Sequence, residues 1–143
     1  MAQSPLSPFR LYALAALAAL ALPGVVLAHP APDGSVAPAF SGAIPNVPGK
    51  SMIAVVVTYP PGGKTPAHHH APSAFVTGYV LSGAVRSQVN GGEVKIFHAG
   101  ESFSEPPGAR HDISENASAT EPAKLLAIFI VDTNDTGLTT IDK

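Results

Sequence analysis

Glycine and proline punctuate this chain at short intervals, and that spacing limits what it can fold into more than any other feature. Pro60-Pro61-Gly62-Gly63, Ala71-Pro72-Ser73, Asn90-Gly91-Gly92, His98-Ala99-Gly100 and Pro106-Pro107-Gly108 follow one another through its middle. Proline lacks an amide proton and fixes φ, and glycine supplies the positive φ of tight turns. No stretch between these turns carries a helix-length apolar period. Their residues suit strands instead. Residues 51–59 (SMIAVVVTY) are β-branched and apolar, and 75–82 continue in kind, with Gly78 marking a bulge or a crowded interior position. Asn90-Gly91-Gly92, between 84–89 and 93–97, is a hairpin signal. Residues 124–131 (KLLAIFIV), bounded by Pro122 and Asp132, form a continuous apolar run that reads as a buried strand. Shorter strands are expected at 68–70, 102–105 and 111–114. Many short strands between Gly/Pro turns predict an all-β antiparallel sandwich or barrel, with no internal repeat.

The ends of the chain set organisation and compartment. Arg10 and the amino terminus precede an almost pure Leu/Ala run over 11–22, Pro23-Gly24 break it, and Val26-Leu27-Ala28 places small residues for cleavage. Residues 1–28 therefore read as a signal peptide cut after Ala28, implying a secreted or periplasmic protein with no stable membrane insertion once it is removed. Residues 29–50 are rich in Pro, Gly, Ala and Ser and read as an extended arm, laid on the surface or exchanged in a homodimer. Residues 51–143 are left as one domain. The mature chain of 115 residues suffices for one core and not two. It has no cysteine, which removes thiolate chemistry, Cys-ligated zinc and disulfides. With the leader removed, seven Lys/Arg stand against ten Asp/Glu with no basic block, so nucleic acid is excluded as a partner class.

The chemistry-bearing residues are histidines. His68, His69 and His70 are consecutive, and on a strand residues i and i+2 share a face. His68 and His70 can aim at one point while His69 faces away. His111, behind Pro106-Pro107-Gly108, could bring a third imidazole from another strand. Neutral imidazole is the commonest ligand for the late transition metals. Taken alone, His68 and His70 read equally well as a surface loop; the downstream Pro-Pro-Gly-Ala-Arg-His favours the ligand reading.

The spacing also resembles a family. Gly62, then five residues, then His68-x-His70 and later Gly83, is similar to the first signature of the cupins. Gly100, five residues, Pro106-x-Gly108, two residues, His111 resembles their second signature, with Asn116 one residue late for its terminal Asn. The resemblance implies a cupin-type antiparallel β-barrel, jelly-roll-like, holding one metal on His, His, Glu and His. This chain departs from the pattern at the Glu: the position seven before Gly83 is Val76, and no carboxylate lies between His70 and Gly83. What carries over is His68, His70 and His111, with Glu105 a candidate fourth ligand if it points inward, and a solvent-facing or turn-bonded Glu105 the bland alternative. The cofactor implied is one divalent transition metal, Fe, Mn, Ni, Cu or Zn.

Other residues bear on the cavity or do not. Arg86 and Gln88 share a strand face, which leaves open whether they enter the barrel or face water. Tyr79 and Phe103 are candidates for the cavity mouth; Tyr59, Phe75, Phe97 and Phe129 read as core. His98 is expected on an exposed turn, and His29 as an adventitious copper chelator at the mature terminus. Asn116-Ala117-Ser118 and Asn134-Asp135-Thr136 are N-glycosylation sequons. Ser73 and Ser82 have no base at triad-like spacing. Two functions remain: a metalloenzyme with dioxygenase-like chemistry on a small organic substrate, or a non-catalytic secreted module that binds a small ligand.

Overall fold

The computed structural model of the protein describes residues 34–135 and 137–143. The signal peptide expected over 1–28, and His29, lie outside the described residues. The described part is built of strands and turns with no helix. The strands are β1 (Ser35–Ala43), β2 (Lys50–Tyr59), β3 (Lys64–Thr65), β4 (His68–His70), β5 (Phe75–Ser82) and β6 (Ala84–Val89). They continue with β7 (Lys95–His98), β8 (Ser102–Glu105), β9 (Arg110–Asn116), β10 (Ala123–Asp132) and β11 (Thr139–Ile141).

Two antiparallel sheets result. One has the order β1-β2-β10-β5-β8; the other runs β11-β4-β9-β6-β7, with β3 also paired to β9. In the first sheet β10 pairs along its full length with β2, from Ala123 opposite Tyr59 to Asp132 opposite Lys50. Alternation then decides what is buried. Ala123, Leu125, Ala127, Phe129 and Val131 point between the sheets and are buried, whereas Leu126, Ile128 and Ile130 are half-buried on the outer face. The inner residues join two core clusters. Val76, Phe129 and Val131 sit in one, and Tyr59, Val80, Val85 and Leu125 in the other.

Local chemistry fixes the connections. Asn90 and Gly91 both have positive φ (52° and 65°), as a type I′ hairpin between β6 and β7 requires. Gly83 turns the chain from one sheet to the other at φ 70°, where a Cβ would lie 2.6 Å from the Pro122 carbonyl oxygen. Gly78 is the crowded interior position: a Cβ there would meet the Phe103 ring at 2.5 Å.

Three strands are absent from the sequence reading. Within 29–50, expected to be an arm without periodicity, Ser35–Ala43 is an edge strand on β2, with a register shift between Pro38 and Phe40. Nearly every residue of it is exposed, so no alternation marks it. The very short β3 and β11 are likewise defined by their backbone partners.

One irregularity shapes the interior. Along the β6–β9 pair, Gln88 stands opposite Ile113 and Val89 opposite His111, so Asp112 is an extra residue. A β-bulge of this kind changes the parity of a strand. His111 and Ser114, three apart, therefore both point inward and are buried. The extra residue lies between His111 and Asn116.

Candidate metal centre

Strand β4 alternates as its spacing predicts. His68 and His70 are buried, and His69 is exposed with Nδ1 2.6 Å from Asp142 Oδ1. On the neighbouring strand His111 lies directly opposite His68. One nitrogen from each of His68, His70 and His111 falls within 4.8 Å of the others, close enough to share an ion.

The rings are oriented by their outer nitrogens. His68 donates from Nδ1 to the Pro66 carbonyl at 2.8 Å, and His70 donates from Nδ1 to the Leu138 carbonyl at 3.2 Å. A carbonyl only accepts, so these bonds place a proton on Nδ1 and turn Nε2 inward, where it can ligate once it carries no proton. His111 is turned the other way, with Nε2 2.8 Å from the Ser87 hydroxyl and Nδ1 toward the cluster. Phe129 packs edge-on to His70, and Phe103 edge-on to His111, which restricts both rings.

Glu105 belongs to this cluster. It is 2% exposed, with Oε2 3.0 Å from His70 Nε2 and Oε1 3.3 Å from His111 Nδ1. The solvent-facing alternative is therefore corrected: the carboxylate points inward. Its position has a simple origin. Glu105 on β8 is the cross-strand partner of Val76 on β5. Val76 occupies the place where the first signature would carry its glutamate, and partners across an antiparallel pair project to the same face. The carboxylate missing from one strand is supplied by the next.

Electrostatics shows what the cluster wants. Burial works against a charged Glu105, but the close imidazoles of His111 and His70 outweigh it and hold the carboxyl at about 2. Burial lowers His68, and the neighbouring His111 and His70 lower it further against the Pro66 hydrogen bond. For His70 burial is the largest influence and acts downward, yet Glu105 reverses it and raises the imidazole. Even so, His70 Nε2 and Glu105 Oε2 have no partner of proper hydrogen-bond geometry, although they face each other. With a proton on Nδ1 alone, His70 sets a lone pair against a carboxylate oxygen, and that contact needs a positive charge, either a second proton on Nε2 or a bound cation. The three histidines could share a divalent cation, and Glu105 beside His70 and His111 would add a negative charge to it. The donor set fits a metal.

The cluster opens into a cavity of about 320 Å³ between the sheets. Val55, Val57, Val76, Leu125, Ala127 and Phe129 line it with Tyr59, Thr65 and Ser114, and Val36, Thr139 and Ile141 complete the wall. Glu105 and the three histidines supply its only titratable groups besides Tyr59, and no Lys or Arg lines it among the described residues.

Several sequence candidates fall elsewhere. Arg86 is exposed and paired with Glu115, and Gln88 donates to the Gly92 carbonyl, so their face turns to water. Tyr79 is exposed, and Phe103 sits behind His111 instead of at the cavity mouth. His98 is exposed at the end of β7. Asn116 is buried, its amide donating to the Pro60 and Glu121 carbonyls, so in the folded chain it has no free amide for a glycan. Ser87, Leu138 and Thr139 enter the site without having been singled out, and Tyr59, read as core, also lines its cavity. For Ser87 the signal was present, since it alternates with Arg86 and Gln88.

The family model described as Cupin domain matches residues 55–129. The chain belongs to the cupin family. Among solved structures this cupin resembles a Klebsiella pneumoniae protein with a double-stranded β-helix domain, at 19% identity, TM-score 0.61, and 78% and 85% of the two chains. It also resembles the Cnp3 cupin domain of Schizosaccharomyces pombe, at 22% identity, TM-score 0.55, and 68% and 64% of the two chains. An oxalate oxidase bound to the substrate analogue glycolate matches at 26% identity and TM-score 0.51, over 71% of this chain and 56% of that enzyme. This cupin thus spans little more than half of the oxidase. No curated protein sequence matches it.

Proposed function

We propose that this cupin holds one divalent transition metal on His68, His70, His111 and Glu105 and acts on a small organic molecule in the adjoining cavity, with dioxygenase-like chemistry. The single observation that carries the reading is the buried Nε2 of His70 facing the Glu105 carboxylate at 3.0 Å without hydrogen-bond geometry. Such a pair is costly in a metal-free protein and useful in a loaded one.

A metal held there would supply a Lewis acid and a template for substrate oxygen atoms. The rest falls to the chain's own residues. Pro66 and Leu138 keep His68 and His70 in the ligating tautomer, and Ser87 holds His111 in place. Glu105 contributes the negative charge that three imidazoles lack. The apolar wall of Val55, Val57, Leu125 and Phe129 excludes water and strengthens every polar contact inside. The likeness to an oxalate oxidase supports oxidation of a small oxygen-bearing molecule as the class of reaction. The proposal includes export, supported by Arg10, the 11–22 apolar run and Val26-Leu27-Ala28.

One observation favours a second reading. Among the described residues Glu105 is the only carboxylate lining the cavity, so its use as a ligand leaves them without a carboxylate base. A non-catalytic small-ligand module would have no need of one.

Elemental analysis of the untagged protein beside a His68→Ala/His70→Ala variant tests the proposal. About one equivalent of iron, manganese, copper or nickel, lost in the variant, supports it. Zinc at that stoichiometry supports the site and redirects the chemistry toward hydrolysis or a structural role. No metal after reconstitution overturns it. His111→Ala should also abolish loading and His98→Ala should not; equal effects would refute the ligand set.

A further inference from the structure

The polar groups of the cavity fall into two sets, and the metal site uses only one. The second consists of three hydroxyls. Tyr59 Oη lies 2.7 Å from Ser114 Oγ and 3.0 Å from Thr65 Oγ1. Tyr59 comes from β2, Thr65 from β3 and Ser114 from β9, and all three line the cavity. The bulge at Asp112 is what turns Ser114 inward on the same strand as His111.

Counting protons shows what the set lacks. Three hydroxyls carry three donor protons, and the two contacts among them consume two. Neither Ser114 nor Thr65 has another side-chain partner among the described residues. One O–H is therefore left over, in a cavity whose nearby walls are Val57 and Leu125. Burial pushes the Tyr59 phenol up, so it stays protonated and the surplus is not lost by ionisation. Tyr59 and Ser114 are buried and Thr65 half-buried, and a donor facing an apolar cavity needs an acceptor.

Its place relative to the histidines follows from the pairing. Thr65 stands opposite Ser114 as His68 stands opposite His111, three residues along both strands. At roughly 3.3 Å per residue the two polar sets lie within about 10 Å of each other. A small molecule can reach both.

We propose that the Tyr59–Ser114–Thr65 cluster is a second anchor of the cavity, donating a hydrogen bond to a carbonyl-type oxygen on a small, largely apolar ligand. The inference rests on the cavity being the ligand site, and it adds the class of ligand. With no Lys or Arg among the described residues of the wall, the hydroxyl cluster suits an uncharged oxygen. Charge on the ligand, if any, is directed to the histidine end. Tyr59, Ser114 and Thr65 are specificity-determining residues in this scheme.

The test compares two molecules of nearly equal shape, acetophenone and α-methylstyrene, which differ in C=O against C=CH₂. Affinities for the full chain as purified are read by amide chemical-shift titration. One net hydrogen bond predicts that the ketone binds about fivefold more tightly. The preference should vanish in a Tyr59→Phe/Thr65→Val/Ser114→Ala variant, where all three hydroxyls are removed together and none is left unpaired. A crystal structure of the wild type with acetophenone provides a measurement independent of how that variant folds, and should place the carbonyl oxygen on the hydroxyl cluster. Equal binding of the two molecules, a preference that survives in the variant, or a carbonyl directed elsewhere overturns the inference while leaving the cavity reading intact. Binding of neither molecule overturns both. The metal reading is judged separately by elemental analysis.

Discussion

Moving one carboxylate across a strand pair offers a direct test of how this site is built. Glu105 and Val76 are cross-strand partners on β8 and β5, both buried and both facing the cavity. Their Cβ atoms are expected about 5 Å apart, within the reach of a glutamate side chain. Glu105→Val removes the only carboxylate in the donor set and leaves three neutral imidazoles. Loss of a group that merely orients a ligand costs about 10–100-fold in metal affinity. A direct ligand should cost more, so the expected loss exceeds about 100-fold, or about 2.8 kcal/mol. The double variant Glu105→Val/Val76→Glu returns a carboxylate to the same face from the adjacent strand, at nearly constant cavity volume. It should recover at least a tenfold share of that loss. The assay is competitive titration of Co(II) or Zn(II) against a chromophoric chelator, with amide spectra recorded to confirm that each variant is folded. A loss below about threefold for Glu105→Val would refute its membership of the site. A folded double variant without recovery would refute the register by which one strand replaces the other.

Three further outcomes are expected. Gly78→Ala should destabilise the fold by about 1–3 kcal/mol in chemical denaturation, because the new Cβ meets the Phe103 ring at 2.5 Å and Phe103 is held against Phe97 and His111; no change would show that the ring moves freely. Truncation before Leu138 should weaken metal binding about 10–100-fold, since the Leu138 carbonyl orients His70 and Thr139 and Ile141 wall the cavity; unaltered binding in the same titration would remove the C-terminal strand from the site. Asn116→Ala should cost about 1–3 kcal/mol by leaving the Pro60 and Glu121 carbonyls without their donor; expression in a glycosylating host should leave Asn116 unmodified by mass spectrometry, and a glycan there on folded protein would contradict its burial.

Much of the architecture is legible before folding because it rests on local rules. The Gly/Pro turns divide the chain into strands, and the boundaries expected at 51–59, 75–82 and 124–131 lie within a residue of β2, β5 and β10. The pair His68 and His70 follows from two-residue parity alone, as does the outward His69. Asn90-Gly91 makes its hairpin because few other residues accept positive φ twice in succession.

What the sequence leaves open is in each case a matter of partners. Parity says that Arg86 and Gln88 share a face, but only the pairing of Arg86 with Glu115 on the outer surface says which face that is. Glu105 lies on a four-residue strand whose inward side is set by standing opposite Val76. Ser114 falls on the same side as His111 only because of the bulge at Asp112. β1 has no alternation to read because it is an exposed edge, held by the backbone of β2. The surplus proton of the Tyr59, Ser114 and Thr65 hydroxyls exists only once three strands meet. The sequence by itself determined where strands and turns lie and which histidines share a side, since those depend on covalent geometry and near neighbours. Only the tertiary structure decided which side is the interior and which distant residues complete the site, because register and facing are set by hydrogen bonds between segments far apart in the chain.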